Sequence, residues 1–160
     1  MATSYSDFVG EVQHRIEAGT QAEAVRTTRA VLTTLGERVD EGGATDIAGA
    51  LPMEVDRYLL EADHGQRFGF DEFVDRVAAR LTYEDLDLDA DYGRPSTVDR
   101  SEVVYRIQAV VALLAEIVPG GTLANVEEQF SGEFDDLFAF VDVETAPWEQ
   151  RRETAQGQHQ

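Results

Sequence analysis

The chain has 160 residues, 32 acidic against 13 basic, with a net charge of −19 and no cysteine. The missing cysteines exclude a disulfide framework, a thiolate metal site and a cysteine nucleophile. The charge disfavours nucleic acid and anionic membranes, both of which are bound by neutralising phosphate with Lys and Arg.

All 13 bases are arginine, and lysine, ordinarily among the commonest residues, is missing altogether. That is the composition of a cytosolic protein from an extreme halophile. Molar salt shortens the Debye length to roughly 3 Å and screens the self-repulsion of so acidic a chain. A hydrophobic content of 42% supplies a core, so wholesale disorder is not expected. At the N-terminus, Met1 to Asp7 lacks a basic region followed by an apolar one, so no signal peptide is read and a cytoplasmic location is expected.

Apolar spacing is helical almost throughout. Phe8, Val9, Val12 and Ile16 share one face of a first helix. Thr20 with Glu23 forms a capping box, and Val25, Leu32, Leu35 and Val39 line the helix that follows. Pro52 is expected to open a further helix, where its missing N–H costs nothing. Gly65 is expected to close that helix. Gly69 is the N-cap of the next one, with Phe68 stapling onto Phe73.

Thr82 to Thr97 is an Asp-rich segment. Asp99 with Glu102 then signals another helix start, and Val103, Ile107, Val110 and Leu113 make its helix the most apolar of the chain. The longest apolar run, Ala109 to Ala115, falls far short of the about 20 residues that span a bilayer. Pro119-Gly120-Gly121 is read as a helix break. Phe130, Phe134, Leu137, Phe138 and Val141 form a core stripe, and the polar residues after Glu149 form a frayed tail. With no stretch of strict alternation, the fold class is all-α.

An internal repeat runs through these elements. Residues 5–15 superpose on 70–80 at an offset of 65, placing Phe8 on Phe73, Val12 on Val77 and Arg15 on Arg80. At an offset of 79, Val31 falls on Val110, Leu35 on Leu114, Ile47 on Val126, Leu51 on Phe130 and Val55 on Phe134. The expected organisation is a first helical repeat over 4–66 and a second over 67–143, packed together as a multi-helix bundle. The second carries an Asp-rich insertion at about 82–97, and 144–160 is a polar, disordered tail.

Ala24-Val25, Ala30-Val31-Leu32, Leu35-Gly-Glu-Arg38, Ile47-Ala48, Leu51-Pro52 and Tyr58, with Asp71-Glu-Phe73 and Val77 in the second half, form a pattern. It resembles the helical family called domain of unknown function 2267, over about residues 4–141. The resemblance implies an all-α, two-repeat fold. It implies no catalytic residue, because no activity is assigned to that family. Two departures stand out: the second half has Phe130-Ser131 for Leu51-Pro52, and Glu116-Ile117 for Glu37-Arg38.

Four constellations could carry chemistry. Glu11-x-x-His14 and Glu61-x-x-His64 have the spacing that di-iron carboxylate proteins use on paired helices. At about 100° per residue, however, His14 lies nearly opposite its helix's apolar face and His64 across its own. Surface or cap roles are therefore expected, and no metal or other cofactor. The run Asp85, Asp87, Asp89, Asp91 lacks the glycine and twelfth-position glutamate of a calcium loop, so it is read as a solvated acidic loop.

Arg106, set among apolar residues, requires a carboxylate or carbonyl partner; the alternative is a ligand-facing role in a groove between the repeats. Phe140, off its stripe, and Trp148 are candidates for a partner contact or self-association. Together these readings predict a helical protein-interaction module without enzymatic activity. The alternatives are a small-molecule binder at Arg106 and, below that, a metal-dependent enzyme.

Overall fold

The computed structural model describes residues 4–83, 99–130 and 132–134. Among the described residues the chain is helical, without strands. The helices are α1 (Tyr5–Ile16), α2 (Gln21–Arg38), α3 (Glu41–Ala48), α4 (Val55–Leu60), α5 (Phe70–Tyr83), α6 (Arg100–Ile117) and α7 (Gly120–Glu127), with a 3-10 turn at Gly132–Phe134. Most of the Asp-rich segment, Leu137, Phe138, Phe140, Val141, Trp148 and the tail at 144–160 lie outside the described residues.

Side-chain caps start three of the helices. Ser4 Oγ accepts from the amide of Asp7 at 3.1 Å, Thr20 Oγ1 from Glu23 at 3.2 Å and Asp40 Oδ1 from Gly43 at 2.7 Å. Each satisfies an amide with no partner inside its helix and stabilises by about 1 kcal/mol. Gly69 caps α5 through its carbonyl, and Phe68 packs on Phe73 with ring centroids 6.2 Å apart, as the staple requires.

Two expected helix ends fall elsewhere. Helix α4 begins at Val55, not at Pro52, because Glu54 takes φ +82° and breaks the path between them. Gly65 does not close α4, which ends at Leu60. With φ +81°, it lets the chain turn back over the C-terminus of α2. There the Gly65 and Gln66 amides donate to Val39 O and Glu37 O, both at 2.8 Å. Asp99 precedes α6 without a side-chain capping bond.

The long helices α2 and α6 cross at the centre. Helix α1 packs on both, α5 packs on both, and α3 packs on α4 and α7. Phe8, Val12, Val31, Leu32, Leu35, Phe73, Val77, Val110 and Leu114 are buried in one continuous core. Burying each such side chain stabilises by roughly 1.5–3 kcal/mol. No Asp or Glu among the described residues is buried, whereas Arg15 and Arg38 are.

Helix α2 meets α4 closely at Gly36, where an added Cβ would lie 2.8 Å from Leu59 O and 3.0 Å from Ala62 Cβ. Alanine's better helix propensity is worth about 1 kcal/mol, but forcing two backbones apart costs typically 1–3 kcal/mol. Gly36→Ala is therefore expected to destabilise the protein by about 1 kcal/mol or more in urea unfolding. An increase in stability would contradict the close contact.

Candidate functional site

Arg106 on α6 reaches across to α2. Its Nη2 donates to Glu23 Oε2 at 2.6 Å, Nη1 to Thr27 Oγ1 at 3.2 Å, and Nε to Glu102 Oε2 one turn back at 3.2 Å. Glu23, the anticipated return partner of the capping box, is thus engaged with the guanidinium. The arrangement bridges two helices. Removing the arginine leaves Glu23 and Glu102 facing one another, so Arg106→Ala is expected to cost roughly 1–3 kcal/mol in low salt, given partial solvent screening. Adding Glu102→Gln should recover part of that loss in a double-mutant cycle.

The Glu-x-x-His residues are placed apart. Glu11 accepts from Arg15 Nε at 2.7 Å, and His14 is exposed beside a shallow cleft lined by Gly10, Gln13, Glu17 and Ala18. Glu61 is exposed at the end of α4. His64, half-buried, sets Nδ1 2.8 Å from Gly36 O and so joins Gly65 and Gln66 in covering the end of α2. Among the described residues no three histidine or carboxylate groups converge as a metal site would need.

Three further arginines carry contacts between helices that the sequence does not disclose. Arg15, 5% exposed, joins α1 to α6 by donating from Nη2 to Glu116 Oε2 at 2.6 Å. Arg80 joins α5 to α2 by a two-pronged bond to Glu37, at 2.9 and 2.7 Å. Arg76 adds a third bond to Glu37 at 3.0 Å. Burial pushes the Glu37 carboxyl up, but the bonds and charges of Arg80 and Arg76 outweigh it and hold the group below the ordinary glutamate range.

An aromatic cluster lies at the other end of α5. Phe134 meets Phe70 and Phe73 edge-on, both at 5.7 Å, and Phe130 at 4.7 Å. Arginines cover its rim: Arg76 lies 3.9 Å over Phe68, and Arg38 lies 4.9 Å over Phe130 while donating from Nε to Phe68 O at 2.9 Å. Beside Arg38 a cleft of about 290 Å³ opens among Asp40, Gly65, Arg67, Glu128 and Gln129.

A third cleft, of about 400 Å³, opens between the start of α1 and the segment joining α3 to α4. Ser4, Tyr5 and residues 49–54 line it. Met53 at its lip is 80% exposed, and Glu54 holds a left-handed φ that a side chain of its kind seldom adopts. Behind Tyr5 stands Tyr58. Burial and the hydrogen-bonded Tyr5 hydroxyl raise the Tyr58 phenol above its ordinary range, against a smaller pull from Arg29. The stability linked to this phenol is present below its unfolded pKa and is lost as pH rises through the higher folded value.

Sequence periodicity does not point to this cleft. Its one visible sign is Met53, a large apolar residue next to Pro52 that no helical stripe absorbs. Arg106 lines none of the three clefts.

No curated protein matches the chain. The family model described as an uncharacterized conserved protein (DUF2267) matches residues 5–137, which include every described helix, and the chain belongs to that family.

Proposed function

We propose that the chain is a protein-interaction module without enzymatic activity, built from two tandem helical repeats and working in the cytoplasm of a salt-loving cell. One observation carries the binding role. Met53 and Leu60, the large apolar side chains left exposed among the described residues, both belong to the short segment around α4. In a chain so rich in acid, large apolar groups left in water along one short segment favour a protein contact there.

The repeat reading is supported by matching elements. Shifted by 79, α2 covers α6 and α3 covers α7 end to end, and shifted by 65, α1 covers most of α5. Packing follows the same exchange, since α1 and α5 each bridge both long helices, and α3 meets α7. Arg15–Glu116 and Arg80–Glu37 are one contact made twice, because Arg15 falls on Arg80 and Glu37 on Glu116. Arg106 falls on Thr27, and Glu102 on Glu23, so this polar cluster sits where the two halves exchange. The halophile reading draws on the missing lysine and on burial that, among the described residues, takes in Arg15 and Arg38 but no Asp or Glu.

Small-molecule binding at Arg106 is not favoured, since its guanidinium is committed to Glu23, Thr27 and Glu102. Affinity capture of the full chain from its own host, after cross-linking in the cell, tests the interaction role. One protein enriched in reciprocal captures is expected. Enrichment of none over the untagged control would contradict it.

A further inference from the structure

The geometry points to the cleft at Tyr5 and Met53 as a socket for one aromatic side chain on a basic protein segment. This deepens the reading above and rests on its two repeats and its protein partner. Under the two offsets, residues 5, 51 and 55 correspond to 70, 130 and 134. In the second half all three are phenylalanine, and Phe134 sits edge-on to both Phe70 and Phe130. In the first half they are Tyr5, Leu51 and Val55. One ring stands where the other half has three.

Tyr5 and Leu51, the counterparts of Phe70 and Phe130, line the 400 Å³ cleft, while Val55 is fully buried. In the second half the ring of Phe134 packs edge-on against both of those counterparts, whereas Val55 supplies no ring. An incoming phenyl or indole ring is the group whose flat shape and edge-on contacts suit such a place.

The lip is built for contact with a ring. The Met53 thioether stands in water beside the opening, and sulfur makes favourable contacts at the edges of aromatic rings. The strained φ of Glu54 turns the chain at this point. Charge selects the flanking residues. Glu54 lines the cleft and Asp7 stands in the first turn of α1 after Ser4, in a chain carrying −19. The complement is arginine or lysine beside the ring. At the second half's aromatic corner, Arg38 of α2 lies over Phe130 and pairs a cation with an aromatic in the same manner.

The test titrates the full ¹⁵N-labelled chain with three synthetic hexapeptides. The first is a tryptophan among arginines and serines, the second has alanine for tryptophan, and the third has glutamates for the arginines. The first peptide should shift the amides of Ala50, Met53 and Glu54, and each of the others should bind at least about tenfold more weakly. Leu51→Phe, which installs the second half's residue, should fill the cleft and weaken binding at least about tenfold while the protein stays folded.

Should Leu51→Phe not fold, Met53→Ser at the exposed lip, which removes the thioether without adding charge, is expected to fold and to lose binding similarly. Equal binding of the alanine peptide, shifts elsewhere on the surface, or wild-type binding by the folded variants would overturn the inference. A partner captured in the cell that binds these variants undiminished would overturn the socket and leave the interaction role standing. Failure to capture any partner bears on that role alone.

Discussion

Truncating Phe73 to alanine is expected to cost about 3–5 kcal/mol, the range for deleting a buried phenyl ring without collapse of the cavity. Phe73 is fully buried and touches the rings of Phe68 and Phe134. It thus links the staple that starts α5 to the 3-10 turn at Gly132–Phe134. Its counterpart Phe8 is equally buried but lies among aliphatic side chains such as Val9 and Val12 on its own helix. Edge-on aromatic pairs add about 0.5–1.5 kcal/mol each beyond area burial, so Phe8→Ala should cost less than Phe73→Ala. Native domains are stable by only 5–15 kcal/mol, so Phe73→Ala leaves a narrow margin. Urea unfolding midpoints check both, and a loss below about 1 kcal/mol at Phe73 would contradict the aromatic cluster.

Glu37→Gln is expected to be the most damaging single change among the acids, at about 2–3 kcal/mol after allowance for partial exposure of its arginines. Glu37 takes bonds from both Arg76 and Arg80 and is 13% exposed, whereas its counterpart Glu116 is 55% exposed and bonds Arg15. Glu116→Gln should therefore cost distinctly less. The pH dependence follows from the depressed carboxyl. Its contribution is complete above the pKa of an unfolded glutamate and is lost as pH falls through the lower value of the folded state. On acidification through that window, the wild type should lose more stability than Glu37→Gln, so that the two curves converge. Parallel curves would show that Glu37 is not the group responsible. Molar salt should shrink the difference at neutral pH, since it screens whatever part of the pairing solvent reaches.

What the sequence discloses and what it hides have separate physical origins. The burial of Val31, Leu35, Val110 and Leu114 is readable because a helix repeats its buried face every three to four residues. The staple at Phe68 and Phe73 is readable because capping is decided within one turn. Arg106 is readable as an anomaly, but its partner Glu23 lies on another helix, and no local pattern specifies which helices cross. The burial of Arg15 and Arg38 is hidden for the same reason, since each is set among charged and apolar neighbours of ordinary kinds. Arg15 left a trace all the same, because both it and Glu116 recur in the other half as Arg80 and Glu37.

Gly65 shows a different limit. Its left-handed φ is foreseeable from its being glycine, but the helix it serves is not. The chain returns to cap α2 from outside, with His64 and Gln66 beside it. The cleft at Met53 is a limit of a third kind. Tyr5 and Leu51 line it, and periodicity does not register the opening, since both residues are suited to a core.

Photo-cross-linking at Met53 tests the interaction role most directly. The chain holds two methionines, Met1 and Met53, so photo-methionine incorporated in the native host places one probe at the cleft's lip and one at the N-terminus. Irradiation of intact cells should yield one discrete covalent adduct with a second protein, and a Met53→Leu variant, keeping only the probe at Met1, should lose it. No adduct, or one that persists in Met53→Leu, would contradict a protein-binding role for this surface.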